Sequence, residues 1–134
     1  MKNLRKNIPT PERIIKINIL ALDLIRTKKA DKPEVLSYDK LFDIIDGCKD
    51  LKGDIYDKAV FLLRGLTQSH AFASANRRTA FIVAKEFLEN NKAKFNVKDN
   101  PEQARAMIGI RENFYKDSEI KEWLKNGKIR EFER

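Results

Sequence analysis

His70 is the only histidine among 134 residues. It opens the run His70-Ala71-Phe72-Ala73-Ser74-Ala75-Asn76-Arg77-Arg78-Thr79, whose residue types suit phosphate chemistry. An imidazole can take a proton from a hydroxyl near neutral pH. Arg77 and Arg78 offer charge-assisted, bidentate hydrogen bonds to a phosphate. Ala73 and Ala75 are small enough to let an anion approach the backbone, and Asn76 can present a side-chain amide. The run ends where an apolar helix begins, and the free N–H groups of a helix N-terminus attract anions. The parts are a general base, an anion cradle and positive charge for a phosphoryl transition state. Each also has an ordinary role. A histidine ending a helix is commonly a cap or a surface group, adjacent arginines are commonly solvated, and Phe72 is a core anchor on either reading.

Helices must position these residues. Thr10-Pro11-Glu12 is a cap, a proline at the first helical position and an acid in the first turn. Ile14, Ile17, Ala21, Leu24 and Ile25 trace one face of the helix through about Lys28. Ile15, Ile19 and Leu22 widen that face and predict burial on more than one side. Residues 29–36 are expected to connect. Ser37 caps a second helix with Leu41, Ile44, Ile45 and Cys48 inward and Gly47 near its end. Asp54 caps a third, with Ala59, Leu62, Leu63 and Leu66 recurring toward His70. Gly65 within it is unfavourable by about 1 kcal/mol relative to alanine and suits close helix packing. After the break at 71–75, Ala80, Phe81, Val83, Ala84, Phe87 and Leu88 make the 77–91 helix apolar nearly all round, as a central helix is. Phe95 and Val97 alternate and predict a short extended segment over 92–98. Asn100-Pro101-Glu102-Gln103 starts another helix with Ala104, Met107 and Ile108, followed by Phe114. Asp117 or Ser118 caps the last, which carries Ile120, Trp123 and Leu124 and closes at Gly127. The prediction is an all-α domain of about six helices spanning 1–134, with its core over 10–127.

Composition narrows the function classes. Apolar residues at 42% and charged residues at 36% mark a globular chain. Cys48, the one cysteine, can form neither an internal disulfide nor a zinc site alone, so a reducing compartment and a packing role are expected. No apolar run reaches about 18 residues. Lys2, Arg5 and Lys6 precede no apolar stretch of signal-peptide length before Pro9. A cytoplasmic protein without membrane spans is expected. The net charge of +8 favours an anionic partner. Because the charge is dispersed, a nucleic-acid-binding module ranks below a nucleotide site.

The 70–79 run resembles the signature of the Fic/Doc superfamily, His-x-Phe-x-(Asp/Glu)-(Ala/Gly)-Asn-(Gly/Lys)-Arg, matched by His70, Phe72, Ala75, Asn76 and Arg78. Thr79-Ala80-Phe81 is similar to the continuation in the death-on-curing (Doc) branch. The resemblance implies a Fic/Doc-like helical fold with a short extended flap over 27–38 that docks the target. It implies transfer from ATP to a protein hydroxyl: AMP in the Fic branch, the terminal phosphate in the Doc branch. His70 would be the general base, Asn76 and Arg78 would hold phosphates, and the amides of Ala73, Ser74 and Ala75 would form the anion hole. Arg77 stands where the Fic branch has glycine and the Doc branch lysine, which tilts the expectation toward phosphoryl transfer. The motif's acid, which holds magnesium on the nucleotide, is here Ser74, a neutral and weak ligand. The expected cofactors are ATP with magnesium; the expected partners are a protein substrate and a separate antitoxin. The alternatives are AMP transfer, a non-catalytic phosphate-binding Fic fold and a basic nucleic-acid module. Ser118 and Glu122 match part of an inhibitory-helix pattern that Trp123 breaks, so an ordinary capped helix is expected there.

Overall fold

A computed structural model describes residues 7–25 and 32–133. Six helices follow one another along them: α1 (Pro11–Ile25), α2 (Tyr38–Asp50), α3 (Ile55–Gln68), α4 (Asn76–Asn90), α5 (Pro101–Arg111) and α6 (Asp117–Asn126). No strand forms among the described residues; the one β element is an isolated antiparallel bridge between Val35 and Phe72. The all-α prediction therefore holds.

Helices α3 and α4 pack on each other and form the centre; α1 lies against α4, α2 and α6 against α3, and α5 against both central helices. α4 buries Thr79, Ala80, Phe81, Val83, Ala84, Phe87 and Leu88, as its near-continuous apolar surface requires. α3 adds Leu62, Leu63 and Leu66, all essentially inaccessible; each contributes about 1.5–3 kcal/mol of burial. A Cβ on Gly65 would approach the Ile44 side chain at 3.2 Å, so the glycine in α3 does serve close packing against α2. Ser37 accepts from the N–H of Lys40 and caps α2. Asp54 and Asp57 cap α3 reciprocally. Cys48 is fully buried, and burial pushes its thiol up to about 11, so it packs as a small apolar group.

Several sequence expectations change. On α1, Ile14, Ile17, Ala21 and Leu22 are buried, but Ile19 and Leu24 are exposed. That helix is buried on one side only, and its expected continuation to Lys28 lies outside the described residues. α3 stops at Gln68, because His70 adopts a positive φ of 54°. Residues 92–98 run without a strand partner; Phe95 and Val97 pack against the core from a loop. α5 turns Gln103, Ala106, Met107, Gly109 and Ile110 inward, leaving Ala104 exposed. Lys116, not Asp117 or Ser118, is the N-cap of α6, where the Glu119 carboxylate accepts the Lys116 N–H at 2.9 Å. The chain beyond α6 folds back far enough to bury Phe132. No described helix is long and apolar enough to cross a membrane.

Candidate functional site

The break between α3 and α4 is built by side chains that hold backbone. Ala75 sits in the left-handed region at φ 61°, ψ 29° and precedes α4 without giving it a side-chain cap. That conformation costs an alanine roughly 1 kcal/mol or more, so neighbours must impose it. Asn76 does so from within: its Oδ1 accepts the Phe72 N–H at 3.1 Å and its Nδ2 donates to the Phe72 carbonyl at 2.8 Å. Thr79 Oγ1 donates to the Ala75 carbonyl at 2.7 Å. From α1, the buried Asn18 Nδ2 donates to the Ser74 carbonyl at 2.9 Å and to Thr79 Oγ1 at 3.0 Å. On the outer side, the Ala73 N–H donates to the Glu34 carbonyl and the Leu36 N–H to the Ala71 carbonyl. Phe72 is buried beneath this loop, the anchor its type predicted.

The carbonyls of Ala71, Phe72, Ser74 and Ala75 are thus taken, and so are the N–H groups of Phe72 and Ala73, but the amides that follow are not. Among the described residues no acceptor meets the N–H groups of Ser74, Ala75, Asn76, Arg77 or Arg78. They lie at the positive end of the α4 dipole, where an anion is favoured. A cavity of about 490 Å³ opens on the same residues. Loop and helix start supply His70, Ser74, Ala75, Asn76, Arg77 and Arg78; α5 supplies the opposite wall with Gln103, Met107, Ile108 and Arg111. Among the described residues, no aspartate or glutamate lines it. Burial first, and the charge of Arg111 second, pull the Arg77 guanidinium below its ordinary pKa. Neither Arg77 nor Arg78 meets a carboxylate among the described residues, and Arg78 Nε is buried without a partner.

Of the residues singled out in the sequence, His70, Ser74, Ala75, Asn76, Arg77 and Arg78 share this cavity, with His70 exposed to solvent. Ala73 does not line it; its N–H is taken by Glu34. Both heteroatoms of the Asn76 amide hold Phe72. One N–H of its NH₂ group stays available, because that group carries two donors. Asn18 and Arg111 were not singled out. Asn18 interrupts the apolar face of α1, four residues after Ile14, and a polar residue there signals a buried partner. Arg111 stands four residues after Met107 and so falls on the cavity side of α5.

Magnesium takes oxygen ligands, above all carboxylates. Among the described residues the wall offers only neutral side-chain oxygens, those of Thr67, Ser74, Asn76 and Gln103, amid three arginines and no acid, and these residues contain no cluster of metal-binding side chains. These side chains do not fit a magnesium ion held by the protein. Of the flap expected over 27–38, residues 27–31 lie outside the described residues. Residues 34–37 run along the motif loop through the Val35–Phe72 bridge, with Leu36 exposed.

A sequence model of the Fic/DOC family matches residues 9–88, from just before α1 to within the last turn of α4. That span contains the loop, Asn18 and the 34–37 segment, and stops short of α5. No curated protein matches the chain.

Proposed function

Because this chain belongs to the Fic/DOC family, we propose that it is a Doc-like phosphotransferase, moving the terminal phosphate of ATP to a hydroxyl of a protein substrate. The observation that supports this most is the cavity itself. It joins a histidine, three arginines and the free amides of a helix N-terminus, with no carboxylate among the described wall residues to repel a polyphosphate. His70 would take the proton of the attacking hydroxyl. The hydroxyl oxygen would form a bond to the terminal phosphorus as the bond from that phosphorus to the bridging oxygen breaks, releasing ADP. Arg77, Arg78 and the loop amides would hold the phosphate oxygens and stabilise the charge that develops on them. The Arg77 side chain occupies the position that is glycine in the AMP-transferring branch, which favours the terminal phosphate as the group moved.

The protein substrate would approach along 34–37, where exposed Leu36 is followed by exposed Tyr38 and Phe42 on α2. A second protein covering this region is the restraint a toxin of this family would need. ATP labelled at the γ or the α phosphate, incubated with the protein and a cell lysate, tests the reading. γ label on protein, about a hundredfold less or lower with His70→Ala, is the expected result; α label would mean AMP transfer.

Ser74 favours one second reading, a phosphate-binding fold without catalysis. It predicts ATP binding with no transfer of either label, and transfer gained in Ser74→Asp.

A further inference from the structure

We propose that Arg111, on α5, is a third phosphate-binding group of this cavity, and that the arginine set does the charge neutralisation a protein-held magnesium would otherwise do, so that the site takes its polyphosphate as a metal-free anion. The inference rests on the phosphate-binding reading of the same cavity. Its premises are four. The motif position that should carry a carboxylate is Ser74, and among the described residues no other in the wall replaces that acid. Arg111 comes from the opposite wall, outside the stretch matched to the family. Among the described residues it pairs with one acid, its neighbour Glu112 at 3.0 Å, which lies outside the cavity wall. Finally, Arg77 and Arg111 act on each other as like charges, with Arg77 partly desolvated.

Two guanidiniums facing one space is unfavourable unless something negative sits between them. A phosphate there removes the repulsion and offsets the desolvation of Arg77. Arginine also suits the task geometrically, because its planar fork can take two oxygens of one phosphate. A divalent cation brought in on the phosphates would meet three positive side chains and, among the described wall residues, no carboxylate. The chain therefore exchanges the family's acid-plus-metal arrangement for an all-cationic one, and α5 is the helix that completes it.

Calorimetric titration of ATP tests this, in buffer with EDTA and in buffer with excess magnesium. Wild-type protein is expected to bind in EDTA at least as tightly as with magnesium. Arg111→Ala is expected to weaken binding in EDTA by about tenfold or more, the loss of one charge-assisted hydrogen bond or two. Glu112→Gln, which frees Arg111 from its ion pair, is expected to bind as tightly as wild type or more so. Binding that requires magnesium overturns the inference without relying on any variant. Binding unchanged by Arg111→Ala, with the variant's melting temperature retained, overturns it as well. No ATP binding in either buffer overturns the phosphate reading together with this inference. Metal-independent, Arg111-dependent binding without label transfer upholds the inference while the transferase reading falls.

Discussion

His70 carries no structural duty among the described residues: it is exposed and makes no hydrogen bond. Its removal should therefore leave folding and ATP binding intact while lowering transfer by about 10²–10⁴-fold, the range for a lost general base. Single-turnover rates with His70→Ala check this, and an unchanged rate would assign the proton to another group. Asn18 is the opposite case. It is 2% exposed and never reaches the cavity, but it holds the Ser74 carbonyl and Thr79 Oγ1. Asn18→Ala leaves buried acceptors without a donor, which costs about 1–3 kcal/mol. Chemical denaturation should show that loss. ATP affinity should fall as well, because the left-handed Ala75 that aims the loop amides loses one of its restraints. The difference between the two residues was only half legible. A histidine beside two arginines is a readable chemical pattern, whereas Asn18 shows only as a polar interruption of an apolar face.

At the scale of elements, α4 and α5 face each other across the site, and the placement of α5 depends on Gly109. A Cβ there would collide with the Tyr115 ring and approach Phe132 Cβ at 3.2 Å. Gly109→Ala should destabilise by about 1–3 kcal/mol, as overpacking does; a thermal melt unchanged from wild type would contradict that packing. The corner between α5 and α6 has its own lock. Arg130 lies over the Phe114 ring at 4.0 Å and pairs with Glu119. The hydrogen bond from Arg130, and then that from the Lys116 N–H, hold the Glu119 carboxyl down to about 2 from its usual 4.5. A carboxylate depressed in the fold stabilises fully above its unfolded pKa and loses that contribution as pH falls toward the folded one. The melting temperature should drop between pH 4.5 and 2, and Glu119→Gln should flatten that part of the profile. Most helix starts were legible because caps are local: Thr10, Ser37, Asp54 and Asn100 each accept a hydrogen bond from the N–H three residues on. The exposure of Leu24 and of Ala104 was not, because which neighbours a helix meets is decided by the whole packing and not by its own period.

Across the whole molecule, the net charge of +8 looked dispersed along the chain, and folding gathers part of it. Arg77 and Arg78 at one helix start and Arg111 at another helix end converge on one cavity through contacts of α4 with α5 that no local pattern encodes. ATP affinity should accordingly weaken as salt rises, since exposed charges are screened beyond about 10 Å at 0.1 M ionic strength. Weakening that is smaller in Arg111→Ala than in wild type would trace the effect to this wall. The central claim is that the cavity serves phosphoryl transfer to a protein hydroxyl with His70 as base. Its most direct test is incubation of wild-type and His70→Ala protein with γ-labelled ATP and lysate, after which label on protein hydroxyls is counted. γ label is expected with wild type and about a hundredfold less or lower with His70→Ala; label undiminished without His70, or label from the α phosphate alone, would contradict it.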